Sequence, residues 1–328
     1  MSSNNTTTTA ETFIWPIINP IGIQEAPLKI AQTAVGTVLN TLALIVLIYM
    51  GNKRTYSHCL FISLTISDLV ISSVYSALSI YAYGYYKWPF GDAACLFNSI
   101  LSITQYVVSN STLVMMSLHR SLLLSRPLTY NETLNWLKCI LLVSCWLLPY
   151  ALITGLVLWY NSIGRIIYYS CSIVYHLEFV WAYISAFIFL PGIVSVVTNL
   201  ISIVSLVMKL RRKKRLACLS GPTTMTNANN SSTVVPKPSA GRKLMSNEMK
   251  AVICILLIVC NVSFTQYPFM SIWPTITACP DCISLTNIFI TLRVVFFFPI
   301  VNPIILFVFN GSFQQHAIKL IKKILFIK

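Results

Sequence analysis

The chain has very little charge to show to water. Only 9% of its 328 residues are Asp, Glu, Lys or Arg, against about 25% in an ordinary soluble domain. A water-soluble fold of this length could not cover itself with so few charges, and 56% apolar content with a mean hydropathy of +0.74 leaves the membrane class. Acids are scarcest, eight against 23 basic residues, and there are four histidines. No histidine–carboxylate or Ser/His cluster is visible, so an enzyme is not expected. The ten cysteines show no metal-ligand spacing. Residues 1–28 lack a basic n-region and a clean apolar core, so no cleavable signal is read. Internal repeats, the usual mark of a transporter, are missing as well.

What the chain has is apolar runs. A membrane-crossing helix needs about 20 mostly apolar residues, and seven runs qualify: 29–51, 57–83, 94–126, 135–159, 178–209, 249–274 and 284–309. The connections are short except the fifth-to-sixth one, about 210–248, which holds RRKKR and then a Ser/Thr/Asn/Pro-rich segment whose composition predicts disorder. Basic residues set the orientation. With the N-terminus outside, nineteen of the 23 basic residues fall on the inner side, only Lys29, Lys87 and Arg165 fall outside, and Arg293 lies within the seventh run. The positive charge is therefore a topology signal and an attraction to anionic lipid, and nucleic acid is not expected as a partner. Residues 1–28 read as an extracellular tail with overlapping glycosylation sequons at Asn4 and Asn5. In 310–328, Phe313, Ala317, Leu320, Ile321 and Ile324 recur at helical spacing among lysines, which predicts an amphipathic helix on the inner membrane surface. The expected fold is all-α: a seven-transmembrane helix bundle over 29–309 with an extracellular N-terminus and that C-terminal surface helix.

Ordered landmarks then appear, one on each run. The first carries GTVLN, ending at Asn40; the second SLTISDL, with Asp68; WPFGDAAC, with Trp88, Gly91 and Cys95, precedes the third. The fourth has Trp146, the fifth Pro191, the sixth QYPF with Pro268, and the seventh NPIIL with Asn302 and Pro303. In this order and on these helices they resemble the rhodopsin-like (class A) G protein-coupled receptors over about residues 29–325. Cys95 and Arg120 are 25 residues apart on one run, about 37 Å of helix at 1.5 Å per residue, a full crossing. HRS at 119–121 stands where the family has Asp-Arg-Tyr, and Pro127-Leu128 follows as that motif's Pro-Leu does.

The resemblance implies roles. His119, Arg120, Glu248, Asn302 and Pro303 would form the G protein coupling switch, with Glu248 locking Arg120 in the resting state. The alternatives are a snorkelling Arg120 and a Glu248 that caps its helix after Ser246. Asp68, with Ser109 and Asn302, would hold a sodium ion, or else be a protonated or hydrogen-bonded structural acid. Cys95 and Cys171 would form the disulfide to the second outer loop, whose RIIYYSCSIVY reads as a hairpin. The CPDC pair, Cys279 and Cys282, predicts a local disulfide. Ser102, Tyr106, Gln266, Phe269, Trp273, Leu292 and Phe296 would surround the ligand. Ser102 replaces the aspartate of amine receptors, which disfavours a biogenic amine. Phe296 replaces the retinal lysine, which excludes a retinal Schiff base, and no other cofactor is read. Arg293 is a candidate to meet an anion, to snorkel, or to pair internally.

Several positions depart from the family pattern: His119, Ser121, Gln266, Leu306, Asn199 and Phe298 replace its usual residues. The expectation is a multi-pass plasma-membrane receptor that passes an extracellular ligand signal to heterotrimeric G proteins. The rival is a seven-helix transporter or channel. Neither the ligand nor the Gα subunit is legible.

Overall fold

The computed structural model describes residues 19–50, 55–85, 88–125, 135–160, 185–219, 240–278 and 283–324. The sequons at Asn4 and Asn5, the predicted hairpin with Cys171, the Ser/Thr/Asn/Pro-rich segment, and Cys279 and Cys282 lie outside the described residues. The elements among the described residues are all helices, with no strand.

The first span is α1 (Asn19–Tyr49). The second is α2 (Tyr56–Val70), a π-helical turn at Ile71–Tyr75, and α3 (Ser76–Tyr85). The third is α4 (Gly91–Ser125) and the fourth α5 (Asn135–Tyr160). The fifth is a π-helical turn at Ser185–Phe189 followed by α6 (Leu190–Leu219), and the sixth is α7 (Ala240–Ala278). The seventh is α8 (Leu285–Val295) and α9 (Phe298–Phe309), and α10 (Gly311–Ile324) follows.

Two boundaries differ from the sequence expectation. Helix α1 starts at Asn19, ahead of its apolar window, which begins at Ala26; Pro20, in the second helical position, suits a helix start because its missing N–H needs no partner there. The basic RRKKR continues α6 to Leu219, and α7 already begins at Ala240. Leu, Lys and Arg are good helix formers, so the helix persists after the apolar run ends. The segment expected as loop at 210–248 is thus helical at both ends.

Among the described residues six helical stretches are long and apolar enough to cross a membrane; α4 falls short of that standard. It is the central rod, with Asn98, Ser99, Thr104, Gln105, Ser109, Asn110, Thr112 and Ser117 all buried. A helix surrounded by other helices faces no lipid and can carry the polar side chains that hold its neighbours. The outer helices show the reverse, with Leu147 66% exposed and Phe264 77% exposed toward the lipid side.

The interior has two apolar layers with a polar band between. Ile71, Tyr106, Val107, Phe269, Leu292, Phe296 and Phe298 belong to the outer layer. Leu47, Leu60, Leu64, Leu113, Met116, Ile255, Ile258 and Leu306 belong to the inner one, where Phe313 and Ala317 dock α10. Small residues let the helices close: a Cβ on Gly36 would lie 3.1 Å from the Ser72 Cβ. Asn310 caps α10 by accepting from the Phe313 N–H at 3.1 Å.

The seventh span breaks at Phe296–Phe297 because Pro299, in the first turn of α9, has no N–H to continue the ladder. The π turn in the second span carries no proline or glycine. There the Ile71 carbonyl accepts both the Ser76 backbone N–H and, at 2.8 Å, the Ser76 hydroxyl, five residues on.

Candidate functional site

Asp68 sits in the polar band, 1% exposed. Asn302 Nδ2 donates to its Oδ2 at 2.9 Å, and Asn261 Nδ2 donates to Asn302 Oδ1 at 2.9 Å and to the Phe298 carbonyl at 3.1 Å. The second, sixth and seventh spans are thereby tied in one chain of amides. Asn40 Nδ2 reaches the Gly36 carbonyl at 2.9 Å and the Pro299 carbonyl at 2.6 Å, so the first span clips the carbonyl beside the seventh-span break. Asp68 Oδ1 is buried without a hydrogen-bond partner. That orphaned carboxylate oxygen suits a small cation. Ser109, the second expected ligand, lies 2.9 Å from Ser67 Oγ, which also donates to Gln105 Oε1 at 2.8 Å. The Ser109 oxygen still has a lone pair to offer. Among the described residues no group of three or more His, Cys, Asp or Glu is arranged to hold a metal ion.

The residues expected around a ligand converge in the outer layer. Tyr106 is the hub: its ring centroid is 5.8 Å from Phe269, 5.8 Å from Phe298 and 6.5 Å from Tyr75. Phe296 stacks on Tyr75 at 6.2 Å. Leu292 packs in the same cluster. Ser102 is buried with its hydroxyl donated to the Ser99 carbonyl at 2.9 Å. Gln266 is 0% exposed, and neither amide atom has a hydrogen-bond partner. Trp273 lies on α7, with its side chain outside the described set. Arg293, one candidate for an anion, has an exposed side chain, and its backbone carbonyl accepts from Gln32 Nε2 at 3.0 Å.

At the inner end Arg120 is half-buried, Glu248 of α7 acts on it electrostatically, and the buried Cys254 of α7 lies close to it. No ion pair shorter than 4.0 Å joins Arg120 to Glu248. His119 turns the other way, its ring 5.2 Å from Tyr56 and edge-on at 77°. Asn199 Nδ2 donates to Ser117 Oγ at 2.9 Å, pinning the fifth span to the third about one turn from Arg120. Pro303 is buried inside α9. At the other end of α4, Cys95 is disulfide-bonded, while Cys59, Cys139, Cys145, Cys254 and Cys260 are free.

The order of these helices and their landmarks is matched independently. A family model described as 7 transmembrane receptor (rhodopsin family) covers residues 39–306. The chain belongs to the rhodopsin family of seven-transmembrane receptors. Members of that family are receptors rather than enzymes, and the apolar helices make this one a multi-pass membrane protein. None of the curated proteins compared with the receptor matches it.

Sequence reasoning about the receptor's site missed four residues. Tyr75 and Phe298 flank the Tyr106 hub. Asn261 completes the Asp68 chain, and its signal was a lone carboxamide inside ICILLIVCNV. Lys29, counted only as a charge on the outer side, is 3% exposed. Its signal was spacing: 29, 32, 36, 40, 43 and 47 form one helical stripe, and Lys29, Gln32, Asn40, Ala43 and Leu47 are all buried.

Proposed function

We propose that the receptor sits in the plasma membrane and couples an extracellular ligand to a heterotrimeric G protein. The observation that carries this reading is the layout of α4, with a disulfide-bonded Cys95 at one end and a half-buried Arg120 at the other, under the electrostatic influence of the sixth span. A guanidinium held in place by packing rather than by a tight ion pair is ready to be exposed when the inner end of α7 moves. Outward movement would uncover Arg120 and open a cleft for the Gα C-terminal segment. The ligand would act from the Tyr106 cluster, where the third, sixth and seventh spans meet, so that a shift of Phe269 moves α7 as a lever. Cys171 is the proposed partner of Cys95, Cys279 and Cys282 the proposed second bridge, and Asn4 and Asn5 the proposed glycan sites. Asp68 Oδ1 and Ser109 Oγ would hold a sodium ion, whose positive charge would offset the buried carboxylate.

The experiment is nucleotide exchange. The full chain in lipid nanodiscs is mixed with purified Gαβγ of each Gα class, and GTP-analogue uptake is followed. Exchange above that of empty nanodiscs, lost in Arg120→Ala, supports coupling. Wild-type exchange no faster than that of empty nanodiscs with every Gα class rejects it, and solute flux in proteoliposomes would then favour a transporter.

A further inference from the structure

We propose that Tyr150 of the fourth span is a positioning residue for the cation site at Asp68, acting through Gln105 and Ser67 to hold Ser109 as an acceptor. This rests on the sodium reading above and brings the fourth span into it. Gln105 Nε2 donates to the Tyr150 hydroxyl oxygen at 2.5 Å. Ser67 Oγ lies 2.8 Å from Gln105 Oε1, 3.2 Å from the Gln105 backbone carbonyl oxygen and 2.9 Å from Ser109 Oγ. Ser67, Gln105 and Ser109 are fully buried, and Tyr150 is half-buried. Ser67 immediately precedes Asp68 in α2, and Ser109 lies one turn beyond Gln105 in α4. The chain of hydrogen bonds thus runs from the fourth span into the polar band.

This chain has one polarity. A side-chain amide has a donor end and an acceptor end. Tyr150 takes the donor end of Gln105, so Oε1 faces Ser67 and can only accept. Ser67 has one proton, and both of its Gln105 partners are acceptors, so that proton is committed to Gln105. The remaining contact then needs Ser109 as its donor. Ser109 commits its single proton to Ser67, and its oxygen keeps only lone pairs, the form that a cation binds. Asp68 Oδ1 agrees with this, since it is buried with no hydrogen-bond partner and no hydroxyl proton is left over for it. Removing the Tyr150 hydroxyl strands the buried Gln105 N–H group, a cost that is avoided if the amide turns over and donates to Ser67. The Ser67 proton is then drawn to the nearer oxygen, Ser109 at 2.9 Å rather than the carbonyl at 3.2 Å. Ser109 regains a proton to donate, and that donor competes with the cation for the carboxylate.

The test follows thermal unfolding of the full receptor in nanodiscs as sodium chloride replaces choline chloride at constant ionic strength. It reads the sodium concentration that gives half of the melting shift. Tyr150→Phe should raise that concentration roughly fivefold or more, the equivalent of one neutral hydrogen bond. Ser67→Ala, which removes the acceptor of the Ser109 proton, should do the same, and Ser67→Thr, which keeps the hydroxyl, should stay near the wild-type value. The double variant Tyr150→Phe/Ser67→Ala should be no weaker than either single one, because both cut the same chain. A wild-type midpoint in Tyr150→Phe overturns the proposal, however far its melting temperature falls in both salts, since Tyr150 is then a packing residue. Single effects that multiply in the double variant overturn it as well. A Ser67→Thr midpoint as weak as that of Ser67→Ala assigns the effect to shape and overturns it too. The two readings fail separately: a wild type that does not respond to sodium removes the sodium reading itself, whereas a shift lost in Asp68→Asn but unchanged in Tyr150→Phe keeps the ion at Asp68 and removes only the role of Tyr150.

Discussion

Asn302 of the seventh span donates its side-chain amide to Asp68 of the second at 2.9 Å, across 234 residues of chain. The same amide's oxygen accepts from Asn261 of the sixth span at 2.9 Å. One carboxamide therefore sets the distance among three spans at mid-depth, between the two apolar layers. The arrangement is polarised: Asp68 receives one donor on Oδ2, and Oδ1 has none.

Asn302→Leu should destabilise the receptor strongly. It strips the remaining donor from a buried carboxylate and leaves Asn261 with the Phe298 carbonyl as its acceptor. The cost is on the order of 3 kcal/mol, read as a lower melting temperature in detergent. Asp68→Asn should cost much less, because a neutral amide can still accept from Asn302. Equal losses in the two variants would show that the contact acts by shape alone.

A sodium ion at the orphaned oxygen makes a separate prediction. Replacing choline chloride by sodium chloride at equal ionic strength should raise the melting temperature of the wild type, because a ligand that binds only the folded state stabilises it by mass action. Asp68→Asn should remove the sodium effect. Identical melting in the two salts would leave Asp68 as a structural acid held by Asn302.

Gly192 of the fifth span packs tightly against Tyr267 of the sixth. A Cβ there would lie 2.9 Å from Tyr267 Cε2 and 3.0 Å from its hydroxyl oxygen. Overpacking costs about 1–3 kcal/mol, against a gain of about 1 kcal/mol from replacing glycine by alanine in a helix. Gly192→Ala should therefore lower stability, by about 1 kcal/mol, and Tyr267→Leu in the same chain should recover most of the loss. Melting curves of the single and double variants decide it.

The seven spans were legible in the sequence because each apolar run outlasts about 20 residues and the landmarks fall one to a run. The third was legible by landmark more than by hydropathy, since α4 trades apolar residues for buried Ser, Thr, Asn and Gln that only its central position explains. The two π turns were not legible: ISSVY has no breaker, and its turn depends on serine hydroxyls competing for carbonyls. The helical RRKKR was hidden because charge ends an apolar run without ending a helix. Of the expected ligand residues, Tyr106, Phe269, Leu292 and Phe296 do meet in one cluster. Charge counting put Lys29 on the outer side and said nothing of its burial, which needed helical phase.

Gln266 takes the place of a tryptophan in the family pattern and is 0% exposed with both amide atoms unpartnered. Leucine has similar volume and no polar atom. Gln266→Leu should raise the melting temperature of the unliganded receptor by the equivalent of about 1–3 kcal/mol, since unsatisfied buried polar groups cost that much. A drop in stability would mean that water or a ligand group already satisfies the amide.

Under the proposed coupling, the electrostatic effect of Glu248 on Arg120 would set the scale of basal signalling. Glu248 acts on Arg120 from the sixth span, yet no ion pair shorter than 4.0 Å joins them. A partly exposed, separated pair contributes about 0.2–1 kcal/mol, which corresponds to a shift of roughly fivefold or less in the two-state equilibrium. Glu248→Ala should therefore raise basal nucleotide exchange, but by less than about fivefold. Cys254, buried beside the guanidinium, supplies the packing that persists in this variant. Cys254→Trp should raise basal exchange further than Glu248→Ala, because bulk at that position pushes α7 from Arg120 whether or not the carboxylate is present. Exchange of both variants with one Gα subunit at matched receptor density tests the order. A rise in Glu248→Ala that exceeds the one in Cys254→Trp would mean that charge, and not packing, holds the inner ends of the third and sixth spans together.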